Sequence, residues 1–272
     1  MIDTVRGPVA PSELGVTLMH EHVFVRSPEV AAQVSLHIVV ATGLYTYNDL
    51  PHYFDLRTAA MQPTHVDALD EFFLHDIEEG IAGTGVRPGI LKCATDAAGL
   101  TPGVERVLRA VARVHRTTGL PISTHTDSGS RRGLDQQRVF GEEGVDLERV
   151  VVGHSGDSTD LGYLEELAAA GSTLGMDRFG VDAYCPTAER VETVAALIAR
   201  GWTERMVLSH DAACHIDWFD DEMLARNQPN WHYLHISREV LPRMLERGIT
   251  QEQIDTMLVG NPHRILNHGP GY

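Results

Sequence analysis

Short apolar runs alternate with helical periods along most of the chain. Seven runs read as strands: residues 17–25 (TLMHEHVFV), 36–42 (LHIVVAT), 89–95 (GILKCAT), 120–126 (LPISTHT), 149–155 (RVVVGHS), 172–177 (STLGMD) and 205–211 (RMVLSHD). They are rich in Val and Ile, and several are continuously apolar. That is the pattern of parallel strands covered on both faces. Helical periods fill most of the intervals. In 103–119, Val104, Val107, Leu108, Val111 and Val114 share one face, and Gly119 is a plausible stop. The segment 161–171 repeats the design with Leu161, Leu164, Leu167 and Ala168. So does 188–201, and two more helices are expected around 234–247 and 250–259. Strand and helix in alternation without a composition break predict parallel β/α architecture in one domain spanning residues 1–272.

The polar landmarks fall at the C-terminal ends of the strand candidates. They are His20 and His22, Lys92, His125, His154, Asp177 with Arg178, and Asp211. In a (β/α) barrel these ends converge on one rim, where active sites are built.

Composition narrows the function. Apolar content of 43% and charged content of 22% are those of a globular chain. The 22 Lys and Arg against 38 Asp and Glu give a net charge of −16, and no basic patch stands out, which argues against nucleic acid as a partner. No run approaches the ~20 apolar residues of a membrane span, and the first residues lack the pattern of a signal peptide. Cys93, Cys185 and Cys214 have no metal-binding or CxxC spacing, so reduced thiols and a cytoplasmic location are expected.

His20 and His22 lie two apart on a strand candidate, so both imidazoles project to one face. Taken alone, His-x-His is as readily two inward polar residues as a metal site. His125, His154 and Asp211 add nitrogen and oxygen donors at three other strand ends, a set suited to Zn²⁺ or a similar borderline metal. Lys92 is odd in this company, because a protonated amine has no lone pair to give. Reaction of its amine with carbon dioxide would make a carbamate whose two oxygens can bridge two ions. The plainer reading is a salt bridge elsewhere.

These segments resemble the phosphotriesterase family of the amidohydrolase superfamily, and most of all its phosphotriesterase-like lactonases. The matching stretches include LGVTLMHEHVFV, HIVVATGLYTYND, GILKCATD, PISTHTDSG, VVVGHSGDSTD, LGMDRFGVD, MVLSHDA and NPHRIL. The resemblance implies a TIM (β/α)8-type barrel with a binuclear metal centre, filled by two Zn ions or a mixed Fe/Co/Mn/Zn pair. It implies that His20, His22 and Asp211 hold the more buried ion, that His125 and His154 hold the more exposed one, and that carbamylated Lys92 bridges them.

Such a pair would lower the pKa of a shared water and so supply hydroxide at neutral pH. Asp211 would accept the proton and return it to a leaving alkoxide. Asp157 either relays that proton outward or caps the following helix. Arg178 either orients substrate, packs on an aromatic ring, or pairs with Asp177 or Asp211. Tyr45 is a hydrogen-bonding candidate near the bridging position. Trp218, Phe219 and Met223, in the long segment after Asp211, either line a channel for an acyl chain or anchor the loop. The expected substrates are N-acyl-homoserine lactones or other γ/δ-lactones, with organophosphate triesters as a side reaction. The expected assembly is a homodimer.

One feature departs from the family pattern. A helix–strand–helix should separate the His-x-His strand from HIVVATG, yet only RSPEVAAQVS (26–35) stands there. The barrel is therefore expected to lack its second strand and that strand's flanking helices. Ten extended residues reach ~33–36 Å, enough for the ~17–20 Å return along a strand, whereas ten helical residues span only ~15 Å. The link is possible if mostly extended, but it removes outer cover and leaves strand edges unpaired. An unstable, oligomeric or weakly active chain is the corresponding expectation, and its extreme form is a metal-binding pseudoenzyme.

Overall fold

The structure, a computed structural model, describes residues 1–22, 37–45, 48, 50–213 and 220–272. Six parallel strands form one sheet in sequence order: β1 Ala41–Gly43, β2 Ile90–Thr95, β3 Ile122–Thr126, β4 Val150–Val152, β5 Thr173–Met176 and β6 Met206–Leu208. Between them run α1 Ala68–Glu79, α2 Pro102–Thr118, α3 Arg132–Glu142, α4 Leu161–Ala169 and α5 Thr187–Ala199. A further helix, α6 Asp221–Asn227, and a C-terminal helical stretch from Ile236 to Leu266 follow β6. This is the alternation of a parallel β/α barrel. Among the described residues, no helix is long and apolar enough to cross a membrane.

Strand and helix contact through the apolar positions that the periodicity marks. On α2, Val104, Val107, Leu108, Val111 and Val114 are all buried. Thr101 caps its start by accepting from the Val104 N–H, and Gly119 ends it in the left-handed conformation. On β2, Leu91 and Cys93 face this helical layer while Lys92 between them faces the interior. Burial pushes the Cys93 thiol up to about 12. The sequence reading did not single out α1. It packs beside α2 through Asp67 and Asp70, which pair with Arg106 and Arg113.

Two strand candidates are corrected. Residues 17–22 form no ladder, and their one bridge pairs His22 with Ala213. Two backbone bonds hold them beside the residues that follow β6: His22 N–H to Ala212 O (2.8 Å) and Asp211 N–H to His20 O (3.1 Å). Of the candidate 36–42, residues 37–40 form no ladder and the strand is Ala41–Gly43; ahead of it the Ile38 carbonyl accepts from the Val5 N–H and the Val40 carbonyl from the Gly89 N–H. Among the described residues β1 is the edge of the ladder. Among the described residues, no strand stands between it and the 17–22 segment. Residues 23–25 and the linker 26–35 lie outside the described residues.

β1 and β2 meet closely because Gly43 lies opposite Lys92, where an added Cβ would stand 1.8 Å from the Lys92 carbonyl oxygen. Gly43→Ala is therefore expected to destabilise the chain by about 1–3 kcal/mol through overpacking. Gly141→Ala, in α3 with nothing within 4 Å of its added carbon, should stabilise it by up to about 1 kcal/mol. Urea midpoints read by circular dichroism check both signs.

Candidate metal centre

The first segment, strands β2 and β3 and the residues after β4 and β6 bring all six sequence-predicted donors around one point. The Nε2 atoms of His20 and His22 lie 3.3 and 2.8 Å from Asp211 Oδ1. Lys92 Nζ is 2.8 Å from His20 Nε2. His154 Nε2 lies 2.8 Å from His125 Nδ1 and 3.9 Å from Asp211 Oδ2. His20, His154 and Asp211 each offer one donor atom, all within 4.8 Å of one another. His20, His125, His154 and Asp211 are buried, whereas His22 is half exposed.

The backbone aims two of these donors. His154 and Asp211 both have left-handed φ, of 60° and 56°. Such a conformation is disfavoured for a residue with a side chain. Here it turns the chain out of strands β4 and β6 and directs each side chain at the interior. Strained residues of this kind persist where surrounding bonds over-determine them.

The electrostatics select metal-ready imidazoles. Asp177, just past β5 and fully buried, accepts from His20 Nδ1 (3.0 Å) and from both Nδ1 (2.9 Å) and the backbone N–H (2.7 Å) of His154. Those bonds place the protons on Nδ1 and leave the Nε2 lone pairs facing the centre. Burial drives His154 down to about 3 and His125 down to about 4, so both rings are neutral at pH 7. Burial opposes ionisation of Asp177 and Asp211. The histidines around them, joined by Arg178 at Asp211, outweigh it and hold both carboxyls well below the usual range. Burial also lowers the Lys92 amine to about 8. Four inward imidazoles and an ionised carboxylate fit divalent cations. Lys92 as an ammonium ion does not.

The residues expected on the substrate side join the same site. Arg178 donates through Nε to Asp211 Oδ2 (2.8 Å) and through Nη1 to Asp157 Oδ2 (2.9 Å), and its guanidinium stacks on Tyr184 at 4.8 Å. Its partner is thus Asp211 rather than Asp177. Asp157 is not a helix cap: Asp160 caps α4, and Asp157 takes Arg178 and the buried Arg190 instead. Burial raises the Asp157 carboxyl against the pull of those two guanidiniums. The Tyr45 hydroxyl lies 3.2 Å from His125 Nδ1, and burial raises its phenol to about 12. A cavity of about 1050 Å³ opens over the donors, walled by Tyr184, Met223, Leu224 and Trp231. Trp218 and Phe219 lie outside the described residues.

Sequence reasoning placed Asp177 at a strand end but missed its work, and missed Arg190 and Glu21 altogether. Arg190 had a signal, because it shares an apolar helix face with Val194 and Leu197, where a charge needs a buried partner. His210 points away from the centre, toward Glu21. Among the other histidines, His115 is a packing residue, bonded to Leu120 O and the Tyr272 hydroxyl.

The model of the phosphotriesterase family matches residues 1–33 and 25–266, two pieces that overlap in the segment linking His-x-His to β1. The chain is 50% identical to a phosphotriesterase homology protein of Mycobacterium tuberculosis over 322 aligned positions, covering 100% of this chain and 99% of that protein. Those 322 positions against 272 residues leave 50 positions without a counterpart here. An aryldialkylphosphatase of Saccharolobus solfataricus is 36% identical, with 88% of this chain and 74% of that protein covered. The solved phosphotriesterase of Mycobacterium tuberculosis superposes with a TM-score of 0.92 at 49% identity, covering 100% of this chain and 99% of that one. A second structure superposes at 0.87 with 32% identity, covering 98% and 100%. It is described as "Molecular Engineering of Organophosphate Hydrolysis Activity from a Weak Promiscuous Lactonase Template".

Asp177→Asn keeps the shape and removes the acceptor charge that fixes two ring tautomers. Metal affinity is expected to fall ~10–100-fold, the usual loss for a supporting carboxylate, with far-ultraviolet circular dichroism unchanged. Competition with a chromogenic chelator measures it.

Proposed function

The chain belongs to the phosphotriesterase family, and from that membership we propose that it is a metal-dependent hydrolase that opens lactones, N-acyl-homoserine or other γ/δ rings, with organophosphate triesters as side substrates. The observation that carries the reading is the single cavity holding all six donors together with Tyr45, Asp157 and Arg178. Its charge suits neutral esters. Asp96 and Asp127 add negative charge to the cavity lining, and Arg178 is committed to two carboxylates. A lactone or a phosphate triester brings no charge to be repelled. The described relation of a lactonase template to organophosphate hydrolysis supports pairing the two substrate classes.

In this reading His20, His22 and Asp211 would hold one divalent cation and His125 and His154 the other, and Lys92 would join them only as the carbamate formed from its amine and carbon dioxide. The cations are Zn, or a mixture with Fe, Co or Mn. When bound, such a pair supplies an acidified water and polarises the substrate C=O or P=O. Asp211 takes the proton of the attacking water and returns it to the alkoxide that leaves the ring. The product is the hydroxy acid. Arg178 keeps the Asp211 carboxylate ionised and fixes its rotation, while Asp157 passes protons outward. The Tyr45 hydroxyl, protonated at working pH, donates a hydrogen bond beside His125. Val181, Tyr184 and Trp231 exclude water from one wall of the cavity. Family membership, with Tyr45, Asp157 and Arg178 beside the donors in one cavity, supports an enzyme over a metal-binding pseudoenzyme.

Lactone opening releases acid, so a pH-stat reads it directly. Turnover should vanish with a chelator and return with added Zn²⁺. His22→Ala should lose more than the ~10–100-fold expected of a supporting residue. Turnover indifferent to the chelator, or absent in zinc-loaded protein, would sink the reading.

A further inference from the structure

Glu21 stands between the two histidines of the His-x-His motif, and its side chain turns to the opposite side. Its carboxylate is almost buried and holds four donors, all from residues 209–212. Oε1 accepts from Ser209 Oγ (3.0 Å), the His210 N–H (2.9 Å) and His210 Nδ1 (2.6 Å), and Oε2 accepts from the Ala212 N–H (2.9 Å). The residue enclosed by this clamp is Asp211, whose backbone is left-handed. Its own N–H goes to His20 O and its carbonyl accepts from Trp231 Nε1 (3.0 Å). His210 Nε2 is engaged as well, accepting from the Ile236 N–H.

We propose that Glu21 is a positioning residue for the metal ligand Asp211. It fixes the residues on both sides of Asp211, through the His210 and Ala212 N–H groups, and holds Asp211 in a conformation it would not choose alone. The Asp211 carboxylate then stays aimed at His20 and His22 before any cation arrives. One tripeptide thereby does two jobs: its imidazoles supply two donors inward, and its central carboxylate aligns the third from behind. Glu21 touches neither cation nor substrate and acts only through residues 209–212. The inference rests on the metal reading of the site and not on the substrate.

The test uses the full chain with Zn²⁺ alone as ligand. Wild type, Glu21→Gln, Asp211→Ala and the double variant are titrated against a chromogenic chelator. Glu21→Gln should weaken zinc binding ~10–100-fold, as loss of a supporting carboxylate does. In the Asp211→Ala background it should change affinity by less than about threefold, because the group it aligns is gone. Amide hydrogen exchange on metal-free protein gives a second readout. The Asp211 and Ala212 amides should exchange faster in Glu21→Gln, with those of Ile122 and Leu174 unchanged. Wild-type zinc affinity, equal losses in both backgrounds, or faster exchange spread evenly through β3 and β5 would each overturn the assignment. If Glu21→Gln does not fold, Glu21→Asp keeps the charge, shortens the reach and carries the same measurements. Zinc-binding protein that opens no lactone would count against the proposed substrate alone. The exchange experiment decides about Glu21 even if zinc does not bind.

Discussion

The buried carboxylate of Asp177 is the constraint on which the centre depends. It reaches the Nδ1 of His20, from the first segment, and the Nδ1 and backbone N–H of His154, from the end of β4. A charge with no water around it must be fully hydrogen-bonded, and these donors satisfy it. In return it sets the tautomer of both rings and turns their free nitrogens to one point. Parts of the barrel that are distant in sequence are thereby fixed relative to each other.

The same logic extends outward in layers. Arg178 rotates Asp211 and Asp157, Arg190 holds the far side of Asp157, and Glu21 clamps the peptides around Asp211. Each carboxylate near the centre is met by positive charge or by N–H groups. This lets several acids stay together in a site walled by apolar side chains. It also explains the short strands β4 and β6. Each gives way within a few residues to a left-handed turn at His154 or Asp211, because a continuing strand would carry those side chains along the pleat rather than into the centre.

The shortened first connection, residues 26–35, carries none of the six donor residues in its sequence. Fifty aligned positions of the Mycobacterium tuberculosis relative have no counterpart here, yet His20, His22, Lys92, His125, His154 and Asp211 all line one cavity. The first segment is anchored from the β6 side, through backbone bonds at His20 and His22 and through Glu21. Among the described residues β1 is the edge of the ladder. The first segment, attached beside β6, brings His20 to Lys92 across the interior.

Much of this was legible in the chain alone. The apolar face of α2 and its Gly119 stop follow from periodicity and local chemistry. The donors could be named because parallel strands must end on one rim. The extents of the first two strand candidates were misread, since pairing depends on neighbours that a sequence does not show: Val5, outside the ladder, takes the Ile38 carbonyl before β1. Asp157 looked equally like a cap, because its sequence neighbours do not reveal the two arginines that meet it in space. The sequence by itself determined which residue types stand at the strand ends, and hence the chemistry available. Only the tertiary structure decided which carboxylate bonds which imidazole and which backbone N–H. Hydrogen bonds between residues more than a hundred positions apart depend on distance and angle, and neither is written in the local pattern.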